Sequence, residues 1–210
     1  DFDVFHPTFF NDYFLEFLGD RPFVITIYDM IHEIFPEYFR LGDPTSERKR
    51  KLALRSNHII AISESTKKDI MSHFGVAPER ISVVHLVTSL GGEKKSEGST
   101  KPAEDYFLYV GSRRGYKNFY FFLTSIASLL KSPPGFRLVC TGEPLEKDET
   151  ILCDRLGILD RISVVQASDI QMVALYENAL CLVFPSLYEG FGLPILEAFN
   201  CRCPALLSNT

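Results

Sequence analysis

Short apolar runs and longer segments of helical period alternate along almost the whole chain, and no other feature of the sequence narrows the fold so much. "FDVF" (2–5) and "RPFVITIYD" (21–29) read as strands, and 43–56 as a helix. "HIIAIS" (58–63) reads as a buried strand, 64–74 as a helix capped by Ser63 or Ser65, and "RISVVHL" (80–86) as a strand. Residues 87–105, "VTSLGGEKKSEGSTKPAED", are polar and without periodicity, as a linker is. The pattern then resumes, with strands at 106–111, 136–142, 161–166, 180–186 and 204–208 and helices at 118–131, 145–157, 169–179 and 193–200. Alternation of this kind predicts parallel sheets with helices on both faces.

The expected organisation is α/β: two Rossmann-like domains with a cleft between them. Residues 1–88 form part of the first, 89–105 the linker and 106–210 the second. The chain enters at "DFDVFHP" as if in mid-fold and stops just after a strand, so both domains are expected to be incomplete. Ligands of open α/β sheets sit at the carboxyl ends of strands, so functional residues are expected there.

Composition excludes several classes. With 46% hydrophobic and 23% charged residues in 210, the chain can bury a core and is not a disordered one. A net charge of -5 argues against a nucleic-acid partner. The five cysteines show no CxxC or metal-ligand spacing, which reads as reduced thiols of a cytoplasmic protein. No run approaches the ~20 apolar residues of a membrane span. The charge run "SERKRK" (46–51) reads as a solvated helix face, and peripheral contact with the inner membrane face is kept as a second expectation.

The chemistry concentrates in "FPSLYEGFGLPILEAF" (184–199). Gly190 and Gly192 let the backbone approach a ligand, and Pro194 suits the first turn of a helix. The N–H groups of a helix start attract phosphate or sugar oxygens. Glu189 before the turn and Glu197 after it can accept hydrogen bonds from hydroxyls. Donors beside carboxylate acceptors suit a phosphate next to a polyol, as in a nucleotide sugar. A plain helix start with acids favoured by the dipole is the competing reading.

"YEGFGLPILEAF" also resembles the E-x7-E signature of the retaining glycosyltransferases of family 4, which have the GT-B fold. "FLYVGSRRGYKNFYFFL" and "RISVVQASDIQMVALYENALCLVFPSLYEGFG" resemble segments of that family's C-terminal domain, and "PFVITIYDMIHEIFPEYF" part of its N-terminal one. The resemblance implies that Glu197 holds ribose hydroxyls and that Glu189 lies beside the transferred sugar and its phosphate. The backbone of Gly190, Phe191, Gly192 and Leu193 would bind sugar and phosphate oxygens. Lys117 resembles the lysine that neutralises the diphosphate leaving group, assisted by Arg113 or Arg114; Ser112 stands where many relatives place an arginine. Tyr28 stands where many relatives have a histidine that contacts the sugar, and Asp29 and His32 are expected to reach the sugar or the acceptor.

The implied activity is retaining transfer of a hexose, mannose among them, from a nucleotide diphosphate sugar to a saccharide or lipid-linked acceptor in polysaccharide or glycoconjugate assembly. The resemblance implies no metal and no cofactor. The rivals are a nucleotide-sugar epimerase or a phosphorylase on the same fold, and a non-catalytic nucleotide-sugar-binding module. A dehydrogenase is disfavoured, because no G-x-G-x-x-G follows a strand. His6 stands at another strand end, His58, His73 and His85 read as structural, and the aromatic cluster at 118–123 reads as core.

Overall fold

The computed structural model describes residues 2–91, 104–133 and 135–209, so most of the expected linker, 92–103, lies outside the described residues. The chain divides into two compact units, Asp1–Leu86 with Glu189–Phe191, and Val87–Tyr188 with Gly192–Thr210.

The first unit contains α1 (Leu15–Leu18), β1 (Val24–Ile27), α2 (Ile31–Ile34), α3 (Thr45–Arg55), β2 (His58–Ala61), α4 (Glu64–Phe74) and β3 (Ile81–Val83). Its sheet is parallel in the order β1-β2-β3, with Val24 opposite His58 and Ile59 opposite Ile81. The strand expected at 2–5 is reduced to an isolated bridge between Phe5 and Phe23. Burial within these strands has a two-residue period: Ile25, Ile27, Ile59 and Ala61 are buried, while Val24, Thr26, His58 and Ile60 are only partly so. Leu52 and Ala53 of α3 and Ile70 and Phe74 of α4 close the same core. Each fully buried aliphatic side chain there contributes roughly 1.5–3 kcal/mol by burial. Of the two serines expected to cap α4, Ser63 does so, its Oγ accepting from the Thr66 N–H at 3.0 Å. The helix ends at Gly75, whose φ of 67° only glycine adopts cheaply.

The second unit contains β4 (Tyr106–Tyr109), α5 (Phe119–Lys131), β5 (Arg137–Thr141), α6 (Lys147–Leu156), β6 (Ile162–Val165), α7 (Asp169–Asn178), β7 (Cys181–Phe184), α8 (Leu193–Asn200) and β8 (Ala205–Leu207). All pairs are parallel, in the order β6-β5-β4-β7-β8. The chain starts at the middle strand, builds outward to one side, then returns to build the other. The reversal lies between β4 and β7, the switch point at which doubly wound sheets open a crevice. Successive strand residues feed two cores. Tyr109 and Val183 pack with Phe119, Leu123 and Cys153, whereas Leu108, Leu182 and Phe184 pack with Val173, Tyr176 and Ala198. Both faces of the sheet are therefore covered, as a parallel sheet requires.

The five cysteines are free thiols. Burial pushes Cys140 up to about 12, and Cys153 and Cys203 up to about 11, so these three are inert at neutral pH. Among the described residues no helix is long and apolar enough to cross a membrane.

Candidate functional site

Two loops meet at the switch point of the second unit. One follows β4 and carries residues 110–118; the other follows β7 and leads into α8. The Leu187 N–H donates to the carbonyl of Tyr116 at 2.8 Å and ties them together. Lys117 ends a single 3-10 turn, Gly115–Lys117, and its Nζ lies 5.1 Å from the centre of the Tyr116 ring and 5.5 Å from that of Phe184. Asn118 then turns the chain into α5 in the left-handed conformation, φ 58°, which asparagine tolerates better than most residues. On the other loop, Gly192 has φ 89° and precedes the first residue of α8, Leu193, with Pro194 in the first turn.

Glu197 projects from α8, and the hydroxyl of Tyr176 on α7 donates to its Oε2 at 2.8 Å. Tyr176 is 0% exposed. Burial, then the charge of Glu197, pushes its hydroxyl far above the ordinary tyrosine range, so it remains a donor.

Both arginines have carboxylate partners. Arg113 is buried, donating from Nε to Glu149 Oε1 at 2.9 Å and from Nη2 to Glu149 Oε2 at 3.1 Å. Its Nη2 also donates to the carbonyls of Glu143 and Pro144, each at 2.8 Å. The fork therefore fastens the loop after β5, and its charge is balanced within the fold. Arg114 is exposed and donates to Glu146 from Nε at 2.8 Å and from Nη2.

In the first unit, the carboxyl end of β1 carries Tyr28, Asp29 and His32. Tyr28 is half exposed. Asp29 Oδ1 accepts from the Ile31 N–H at 3.1 Å and so caps α2. His32 stacks on Phe39 with ring centres 3.7 Å apart, and its buried Nδ1 has no hydrogen-bond partner. Burial, then the Lys49 charge, lowers its pKa. Lys49 is 1% exposed and donates to the carbonyl of Asp29 at 3.0 Å and to Glu33 Oε2 at 2.9 Å. A cavity of about 140 Å³ is lined by Phe9, Phe10, Tyr28, Asp29, His32 and Lys49, among others. His6, also at this end of the sheet, bonds Thr26 Oγ1 at 3.0 Å.

Residues Glu189–Phe191 group with this unit. A Cβ on Gly190 would lie 1.9 Å from the carbonyl oxygen of Tyr28, so no other residue fits there. The Thr66 hydroxyl donates to the Gly190 carbonyl at 3.4 Å, and the Phe191 ring lies 5.8 Å from that of His85.

Sequence reasoning missed Lys49, Glu33, Glu149 and Tyr176. The solvated face expected at 46–51 contains one buried member, Lys49, and the signal was its spacing. Lys49, Leu52, Ala53 and Ser56 fall on one helical stripe, as Glu149 and Cys153 do on α6.

The family model for glycosyl transferases group 1 matches residues 92–210, and that for glycosyltransferase family 4 matches residues 1–89. The O-antigen chain mannosyltransferase RfbU of Salmonella typhimurium (strain LT2) is 26% identical over 192 residues, 88% of this chain and 51% of that protein. Sucrose-phosphate synthase from Thermosynechococcus elongatus superposes with a TM-score of 0.76 at 17% identity, over 100% of this chain and 56% of its own. The pneumococcal O-GlcNAc transferase GtfA, solved with UDP and GlcNAc, superposes with a TM-score of 0.69 at 14% identity, over 94% and 39%. These likenesses show the GT-B fold. The chain spans about half the length of the curated relatives it matches.

Proposed function

The chain belongs to the glycosyl transferases group 1 family, and from that premise we propose that it transfers a hexosyl group from a nucleoside diphosphate sugar to an acceptor hydroxyl, with retention at the anomeric carbon, in the assembly of a polysaccharide or glycoconjugate. One observation carries the reading: the Leu187–Tyr116 hydrogen bond ties the Lys117 loop to the loop that leads into α8 at the switch point, where open α/β sheets bind ligands. The similarity to an O-antigen mannosyltransferase favours mannose as the sugar. A relative of the same fold solved with UDP supports a nucleoside diphosphate donor.

In this reading the bond from the sugar's C1 to the leaving phosphate breaks, its electron pair going with the diphosphate. The acceptor oxygen bonds to C1 on the same face, and the acceptor's proton passes to a phosphate oxygen. Lys117 and the N–H groups opening α8 stabilise the growing charge of the leaving group. Glu197 accepts from ribose hydroxyls, Glu189 lies beside the transferred sugar, and the backbone of Gly190, Phe191, Gly192 and Leu193 meets sugar and phosphate oxygens. Tyr28, Asp29 and His32 serve the sugar or the acceptor. Arg113, bound to Glu149, shapes the loop after β5 and leaves the phosphates to Lys117.

The test is nucleoside diphosphate release from GDP-, UDP- and ADP-sugars by the full chain, with Lys117→Ala and Glu189→Ala beside the parent. A loss of about 10²-fold or more in both variants is expected. Release unchanged in both removes the assignment. Binding without release by the parent means a non-catalytic nucleotide-sugar-binding module.

A further inference from the structure

We propose that Tyr176 is a positioning residue, whose hydroxyl turns the Glu197 carboxylate so that its remaining acceptor sites face the ribose hydroxyls of the nucleotide. The inference rests on the reading of Glu197 given above. An ionised carboxylate offers about four lone-pair sites on two oxygens. The Tyr176 hydroxyl takes one of them on Oε2 at 2.8 Å and anchors that oxygen. The donor itself is locked in by packing: Tyr176 is 0% exposed, in one core cluster with Leu108, Leu182, Phe184 and Ala198. Glu197, by contrast, is only partly buried and stands in the second turn of α8, beyond the Gly192 turn at the switch point. A rigid donor from the core thus holds a side chain that reaches the surface where the nucleotide is expected.

The hydroxyl is not needed for packing. Phenylalanine would fill the same space, and α7 and α8 already share apolar contacts through Val173, Ala198 and Cys201. Burial and the Glu197 charge keep the phenol protonated, so it remains a donor. A charge-assisted O–H···O⁻ bond is stronger than a neutral one, which suits a carboxylate that must hold one orientation before the ligand arrives.

The experiment compares the binding of GDP, UDP and ADP with that of their 2′,3′-dideoxy forms to the full chain, for the parent and for Tyr176→Phe. The parent is expected to prefer the ribose form by at least about tenfold. Tyr176→Phe is expected to reduce that preference to about twofold, while its affinity for the dideoxy form stays within about twofold of the parent's. A merely structural tyrosine would shift both forms alike and leave the ratio unchanged, and that result overturns the proposal. A parent that binds neither form, or both equally, overturns the reading of Glu197 and the proposal with it. Should Tyr176→Phe fail to fold, 3,5-difluorotyrosine at position 176 keeps the shape and alters only the strength of the donor. The ribose preference must then change, and an unchanged preference overturns the proposal.

Discussion

Both units fasten a loop at the carboxyl end of a strand with a buried cation, and they do so with different chemistry. After β1, Lys49 brings a point charge to the Asp29 carbonyl and to one oxygen of Glu33, whose buried Oε1 is left without a partner. After β5, Arg113 brings a planar fork to two carbonyls and to both oxygens of Glu149. Glu149 Oε2 also accepts from the Glu146 N–H at 2.7 Å, which opens α6. Both oxygens of Glu149 thus have donors while one oxygen of Glu33 has none, and a half-satisfied buried carboxylate holds a loop less tightly. The difference teaches which charges work inward. Arg113 and Lys49 are buried and build the scaffold, whereas Lys117 and Glu197, near the switch point, are only half-buried.

The largest effect should come from breaking the better-satisfied network. Arg113→Met leaves Glu149 buried without its partner and should cost about 3–5 kcal/mol. For a chain of this size that lowers the melting temperature by on the order of 10 °C. Thermal unfolding checks it, and adding Glu149→Leu should recover part of the loss, because the uncompensated charge is then gone. An Arg113→Met variant that keeps its melting temperature would erase the distinction between inward and outward charges.

Lys117→Ala is the opposite case. Nucleoside diphosphate release should fall by about 10²–10³-fold, as for loss of one preorganised electrostatic partner. The melting temperature should fall less than for Arg113→Met, since Lys117 is only half-buried. Turnover and unfolding measured on the same preparation separate the two lysines. Lys49→Met should do the reverse, costing about 3 kcal/mol through the uncompensated Glu33, and its unfolding should show first in hydrogen exchange of β1 and α2.

These contrasts also mark how far the sequence could be read. The strands and long helices were legible because period-2 and period-3.6 burial is written into residues such as Ile25, Ile27, Ile59 and Ala61. α1 and α2 escaped because four residues each are too few to show a helical period. Glu189 and Glu197 stand out because one continuous stretch, 184–199, holds both beside the glycine turn, whereas Lys117, outside it, stands out only by resemblance. The Tyr176–Glu197 pair does not stand out, since its members lie 21 residues apart on different helices and only folding joins them. The Arg113–Glu149 pair is hidden for the same reason, its members lying 36 residues apart.

The smallest effect concerns pH, and it again separates the units, since His6, His32, His58, His73 and His85 all precede residue 87. In the folded chain His32 is pushed below its usual pKa, first by burial and then by the nearby Lys49 charge, against the opposing pull of Asp29, Asp43 and Glu33. Above about pH 6.5 the ring is neutral both folded and unfolded, and pH has no purchase on it. As pH falls through that value, the unfolded chain takes up a proton that the folded chain resists. The first unit therefore loses stability as the pH drops below about 6.5, until the folded ring also protonates. Hydrogen exchange at pH 7.5 and 5.5, corrected for intrinsic rates, should show β1 and α2 loosening more than β4 and β5. His32→Phe keeps the stack on Phe39 and removes the titration, so it should reduce the difference between the units. A difference that survives in full would show that His32 is not its source.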